Sequence, residues 1–159
     1  MRHTISVLVE NKAGVLARIA NLFSARGYNI DSLAVGETED QSISRMTIIA
    51  RGDERIVEQI EKQLNKLVDV IKVSDFIQTE HLERDLVLVK VSTDKSSRSE
   101  ILQIVDIFRA KIVDVAPTSL IIEMTGTEEK ISAFVDIIRP FGVKEMVRTG
   151  IVAMARGSK

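Results

Sequence analysis

Residues 10–33 read ENKAGVLARIANLFSARGYNIDSL, and the reading of this stretch decides the fold. A polar Asn-Lys-Ala-Gly turn opens an apolar run with helical period, expected over Val15–Arg26, which stops at Gly27 before an extended segment from Asn29 to Val35. Working outward, a strand pattern over Thr4–Glu10 precedes the turn. A strand over Ser44–Arg51, a helix over Asp53–Leu67 and a strand over Val68–Asp75 follow it. The order is βαββαβ.

The polar residues 78–84, QTEHLER, interrupt the apolar pattern and read as a linker. Beyond them the order repeats: strand Asp85–Val91, helix Arg98–Phe108, strand Lys111–Val115, a turn at Pro117, strand Ser119–Thr125, helix Glu128–Arg139, strand Val143–Arg148. Apolar stripes at i, i+3, i+4, i+7 recur in the helices: Leu16, Ile19, Ala20 and Phe23; Ile101, Ile104, Val105 and Phe108; Ile131, Phe134, Val135 and Ile138. Each helix thus buries one face. The expected fold class is α+β, two ferredoxin-like βαββαβ sandwiches at residues 1–77 and 85–159, each with helices on one sheet face and the other face open. Halves of this size are close to the lower limit for a self-sufficient core, so docking is expected. The second strand, NIDSLAV, is an edge in this topology and carries neither lysine nor proline to blunt it. Pairing of two such edges predicts a homodimer.

With 22 basic and 23 acidic residues interspersed along 159, the chain shows no electrostatic footprint for nucleic acid or an anionic membrane. It has no cysteine, no long apolar run and no leader-like start, and a cytoplasmic location is expected. Phosphate-cradling glycine motifs are absent, as are strand aromatics of the kind RNA-binding sandwiches stack on bases. The serines lack a glycine elbow and a paired histidine. His3 and His81 read as isolated, solvated side chains, and Glu37-Thr38-Glu39-Asp40 as a solvated hairpin tip rather than a metal site. No catalytic residue and no metal ligand is assigned.

The Asn-Lys-Ala-Gly turn has two readings. In one, the first N–H groups of the helix form an anion site and Gly14 leaves room for a carboxylate to approach. Asn11 and Asn29 then serve an ammonium and a carboxylate, and Leu16, Ile30 and Leu33 supply apolar wall, which describes an amino-acid pocket. In the other, Gly14 is a turn residue, Asn11 a cap and Gly27 a helix stop. Spacing alone does not separate them. The equivalent turn of the second round, TDKSSRSE, has no glycine, so a ligand is expected in the first half only.

Together, ENKAGVLARIANLFSARGYNIDSL, SRMTI, QIEKQLNKLVDVIKV and the LVKV strand resemble the small regulatory subunits of acetolactate synthase, over nearly the whole chain. The resemblance implies an N-terminal ACT domain that binds valine, or leucine or isoleucine, at a dimer seam, followed by a C-terminal ferredoxin-like domain. It implies no catalysis by this chain and no cofactor on it. The partner it implies is a catalytic subunit carrying thiamine diphosphate, FAD and magnesium, which this chain activates and makes sensitive to feedback inhibition in branched-chain amino-acid biosynthesis. On that resemblance the effector-binding residues are Asn11, Gly14 and Asn29, with Val15, Leu16 and Ile30 beside them. A free-standing amino-acid-responsive ACT regulator and a nucleic-acid-binding ferredoxin-like protein are the other classes compatible with the fold.

Overall fold

The computed structural model describes residues 1–157. The chain runs β1 (Arg2–Glu10), α1 (Val15–Ala25), β2 (Ile30–Glu37), β3 (Ile43–Arg51), α2 (Glu54–Asn65), β4 (Val70–Asp75), then β5 (His81–Ser92), α3 (Arg98–Ile107), β6 (Lys111–Val115), β7 (Ser119–Gly126), α4 (Glu128–Ile138), β8 (Val143–Arg148) and β9 (Val152–Ala155). The first sheet has the antiparallel order β2-β3-β1-β4, and the second the order β6-β7-β5-β8, with β9 also paired to β5. Both repeat the βαββαβ path, as the periodicities require. β2 is an outer strand of its sheet, and a register shift between Ile30 and Ser32 leaves Asp31 in a bulge, where it forms an ion pair with Arg51.

In the first unit Ile5, Val7 and Val9 of β1 and Met46, Ile48 and Ala50 of β3 point to one face and pack on Ile19 and Phe23 of α1 and on Val57, Ile60 and Leu64 of α2. The buried stripe of α1 is Val15, Ile19, Leu22 and Phe23. Leu16, expected in that stripe, is 44% exposed. The helix is rotated by about one residue from the expected face, because Leu22 adds to the packing and Ala20 adds little. A Schellman motif ends α1: Tyr28 N–H donates to Phe23 O at 3.0 Å and Gly27 N–H to Ser24 O at 3.1 Å, with Gly27 at φ 70°. In the second unit Val87, Val89, Val91, Leu120, Ile122 and Met124 pack on Ile101 and Val105 of α3 and on Ile131, Phe134, Val135 and Ile138 of α4.

Three expectations change. The stretch 78–84 is not an open linker, since His81–Arg84 already belong to β5. The compact units are residues 1–82 together with the described residues from 151 on, and residues 83–150, so the chain returns to the first unit after Gly150. There Ile151 and Ala153 are buried, Ile151 N–H donates to Ser32 Oγ at 3.1 Å, and Arg156 N–H to Glu80 O at 2.9 Å. The sheet face opposite the helices, expected open, is therefore covered in part, and Thr4, Ser6, Thr47 and Ile49 on it are buried. Finally, neither histidine is a solvated singleton. His3 is 1% exposed with Nδ1 3.0 Å from Asp75 Oδ2. His81 stacks on Phe76 at 5.1 Å between centroids and donates from Nδ1 to Thr79 O at 2.7 Å.

Candidate functional site

Gly14 is the N-cap of α1, at φ 87° and ψ −10°, a left-handed conformation that an L side chain adopts only at a cost. No side chain caps the helix, and its first turn holds no acidic residue. Val15 N–H turns back to Lys12 O at 3.4 Å and Arg18 N–H closes the first helical bond to Gly14 O at 3.0 Å. The N–H groups of Leu16 and Ala17 lie between them at the helix end, where such groups attract a negative charge. A Cβ on Gly14 would meet only Arg18 Nη1, at 3.5 Å, so the space in front of the turn is open.

Charge around this entrance is arranged in pairs. Arg18 Nη2 lies 2.5 Å from Asp69 Oδ2, and Asp69 is buried while Arg18 is half exposed. Lys12 sits 2.8 Å from Glu10, and that hydrogen bond holds the Lys12 ammonium above its usual range. Asn11 donates through Nδ2 to Gln41 O at 2.9 Å and to Glu37 Oε1 at 3.4 Å, while its own N–H donates to Ser42 O at 2.8 Å. The turn is thereby tied to the β2–β3 hairpin, and the Asn11 side-chain oxygen is left to accept. Within that hairpin Asp40 Oδ1 accepts from Ser42 N at 3.0 Å and Ser42 Oγ at 2.7 Å, which pulls its carboxyl below the ordinary range. These acids serve the turn, and no group of three metal-binding side chains occurs among the described residues.

The other two expected residues lie elsewhere. Asn29 donates to Asp31 Oδ1 at 2.8 Å, and Ile30 is half-buried against the core at the start of β2. The Asp31 carboxyl is lowered, first by its bond to Arg51 and also by that from Asn29. Ile30 pairs with Ala50 and Ala50 with His3, whereas Asn11 follows Glu10, which pairs with Ile43. The seven residue steps from His3 to Glu10 span about 23 Å at ~3.3 Å each. Asn11, Gly14, Val15 and Leu16 thus gather at one end of the sheet, and Asn29 and Ile30 at the other. Missed by the sequence reading were Arg18, one turn after Gly14 and the lone cation of the apolar helix, and its partner Asp69.

The second unit supplies an internal comparison. At the entrance to α3, Asp94 Oδ1 accepts from Ser96 N at 2.9 Å, Ser97 N at 2.8 Å and Ser96 Oγ at 2.7 Å. These bonds lower its pKa to about 2. A carboxylate of the chain thus holds the turn just before α3, whereas the Lys12–Gly14 turn before α1 has no such carboxylate; neither helix has a side-chain cap.

A four-stranded antiparallel sheet with two helices on one face and an open glycine turn at the first helix defines an ACT-type domain, and residues 5–72 match the family described as the AHAS small subunit-like ACT domain. Residues 84–157 match the small subunit of acetolactate synthase. A probable acetolactate synthase small subunit of Archaeoglobus fulgidus is 56% identical over 159 residues, covering all of this chain and 99% of its own. The acetolactate synthase small subunit of Aquifex aeolicus is 53% identical over 98% of this chain and 81% of its own. The crystal structure of the Thermotoga maritima acetolactate synthase small subunit superposes with a TM-score of 0.92 at 45% identity, covering 100% of this chain and 99% of that one. The chain belongs to the acetolactate synthase small-subunit family.

Proposed function

We propose that this chain is the non-catalytic regulatory subunit of a cytoplasmic acetolactate synthase, which binds the catalytic large subunit, raises its activity and makes it sensitive to valine or another branched-chain amino acid. Thiamine diphosphate, FAD and magnesium belong to the large subunit in this reading. The observation that carries it is the contrast between the two helix entrances. Where the turn before α3 is held by its own Asp94 carboxylate, the turn before α1 ends in Gly14 with open space in front of it and first-turn N–H groups that no side chain caps, a place shaped for the carboxylate of a ligand.

The separation of Asn11 from Asn29 gives the site its form. Two copies pairing antiparallel along β2 would set residue 30 of one beside the Glu37 end of the other. The partner's Asn29 and Ile30 then meet Asn11, Gly14 and Leu16, and two composite sites form per homodimer. Leu16, exposed on α1, becomes apolar wall. Rate measurements on the reconstituted enzyme against valine, leucine and isoleucine test this function. Activation together with inhibition by one of the three is the expected result, and a catalytic rate indifferent to this chain overturns it.

A further inference from the structure

On the face of the first sheet opposite the helices lies a cavity of about 200 Å³ lined by Ser6, Leu8, Arg45, Lys72, Ser74 and Phe76, with Met154 and Ala155 of the returning chain over it. It holds space for roughly a dozen waters, enough for a small metabolite. The register explains why these side chains meet. Arg45 and Lys72 stand directly opposite Leu8 from either side, and Ser74 stands opposite Ser6 one row further on. Arg45 Nη1 donates to Ser6 Oγ at 2.7 Å, and Ser6 is buried. That bond uses the oxygen of Ser6 as acceptor and leaves its proton to be given away. Neither Arg45 nor Lys72 forms an ion pair with a carboxylate among the described residues, while other cations of the first unit are taken: Lys12 by Glu10, Arg18 by Asp69 and Arg51 by Asp31. Glu10, two residues beyond Leu8 on β1, is the partner of Lys12.

Two uncompensated cations and two hydroxyls, over an apolar floor of Leu8 and under Met154, specify a ligand with two negative charges in a small volume. We propose that this cavity binds a compact dianion of the phosphate or dicarboxylate kind, separately from the α1 entrance. The cation roots are two strand spacings apart, about 10 Å, and both side chains are long enough to lean inward over Leu8 onto one anion. Because Met154 and Ala155 form one wall, an anion bound here holds the returning end of the chain against the sheet.

The test is calorimetry at fixed ionic strength on the full chain with inorganic phosphate and with succinate as separate probes, alongside the Met154 methyl resonance as a reporter of place. Saturable binding of one probe with displacement of the Met154 signal is expected, and the arm that binds identifies the anion. Lys72→Gln, at an exposed position, should weaken it about fivefold and Arg45→Gln about tenfold or more, while Gly14→Asp leaves it unchanged. No saturation by either probe at about ten millimolar, or equal affinity in Lys72→Gln and Arg45→Gln, overturns the proposal. So does a result in which no dianion binds but both variants lose activation of the catalytic subunit, since the face is then a protein contact.

Discussion

Gly14 holds a conformation that costs an L-residue strain, and an added Cβ there would meet only Arg18 Nη1 among the described residues. Gly14→Asp would place a carboxylate where the ligand carboxylate is proposed to sit. Two like charges about 4 Å apart repel by roughly 1 kcal/mol in water and about 4 at an intermediate effective dielectric, so a loss of valine affinity of tenfold or more is expected. Gly14→Ala adds the strain, about 1 kcal/mol of stability, without the charge, and should lose less affinity. Inhibition curves for the two variants in the reconstituted enzyme make the comparison; equal curves would remove the charge argument. Asp94 gives a prediction in pH. Its pKa is lowered from 3.8 to about 2 by hydrogen bonds from Ser96 and Ser97. A lowered folded pKa means stability that is fully present above the unfolded value and lost as pH falls through the folded one. The contribution of Asp94 should therefore be intact above about pH 4 and fade towards pH 2, with its carboxyl carbon titrating near 2 by NMR.

Among the elements, the helix starts differ in what they are for. α2 begins at Asp53, which accepts from Ile56 N at 3.0 Å, and α4 at Thr127, which accepts from Lys130 N at 3.3 Å. Each is a self-sufficient cap that satisfies a first-turn N–H. Thr127→Ala should cost about 1 kcal/mol in denaturant unfolding and leave valine inhibition untouched. The starts of α1 and α3 have no side-chain cap, and of these two only α1 opens from a left-handed glycine, where the proposed ligand would supply the acceptor. β9 is only four residues long, yet Ile151 just before it is buried on the outer face of the first sheet. Ile151→Ala should destabilise the first unit by about 2–4 kcal/mol, measured by denaturant unfolding, while the packing of Phe134 with its neighbours in the second unit is unchanged.

For the whole molecule, the proposed site, completed by two chains, would link binding to assembly. A ligand that binds only the dimer tightens it, so valine should lower the dimer dissociation constant in sedimentation equilibrium. The composite arrangement has a sharper consequence. Gly14→Asp and Asn29→Ala chains each build two defective sites, but a mixed dimer has one site with both changes and one with neither. Mixing the two variants should restore part of the valine inhibition that each has lost. If the mixture behaves as the average of its parents, Gly14 and Asn29 do not act across a seam.

Local order is what the sequence by itself determined. Apolar periods of two and of 3.6 residues placed β1 through β8 and all four helices, because burying one face of an element imposes its pattern on neighbouring residues alone. The glycines that open and stop α1 and the unguarded edge of β2 were legible for the same reason. The sequence reading joined Asn11 and Asn29 because they flank one helix, but the antiparallel register sends them to opposite ends of the sheet. Only the tertiary structure decided that, along with the burial of His3 against Asp75, the Arg18–Asp69 pair, and the return of Ile151–Ala155 onto a face expected to be open. Each of these joins residues far apart in the chain. Which partners meet is set by packing of the completed sheet, and a period in the sequence carries no record of it.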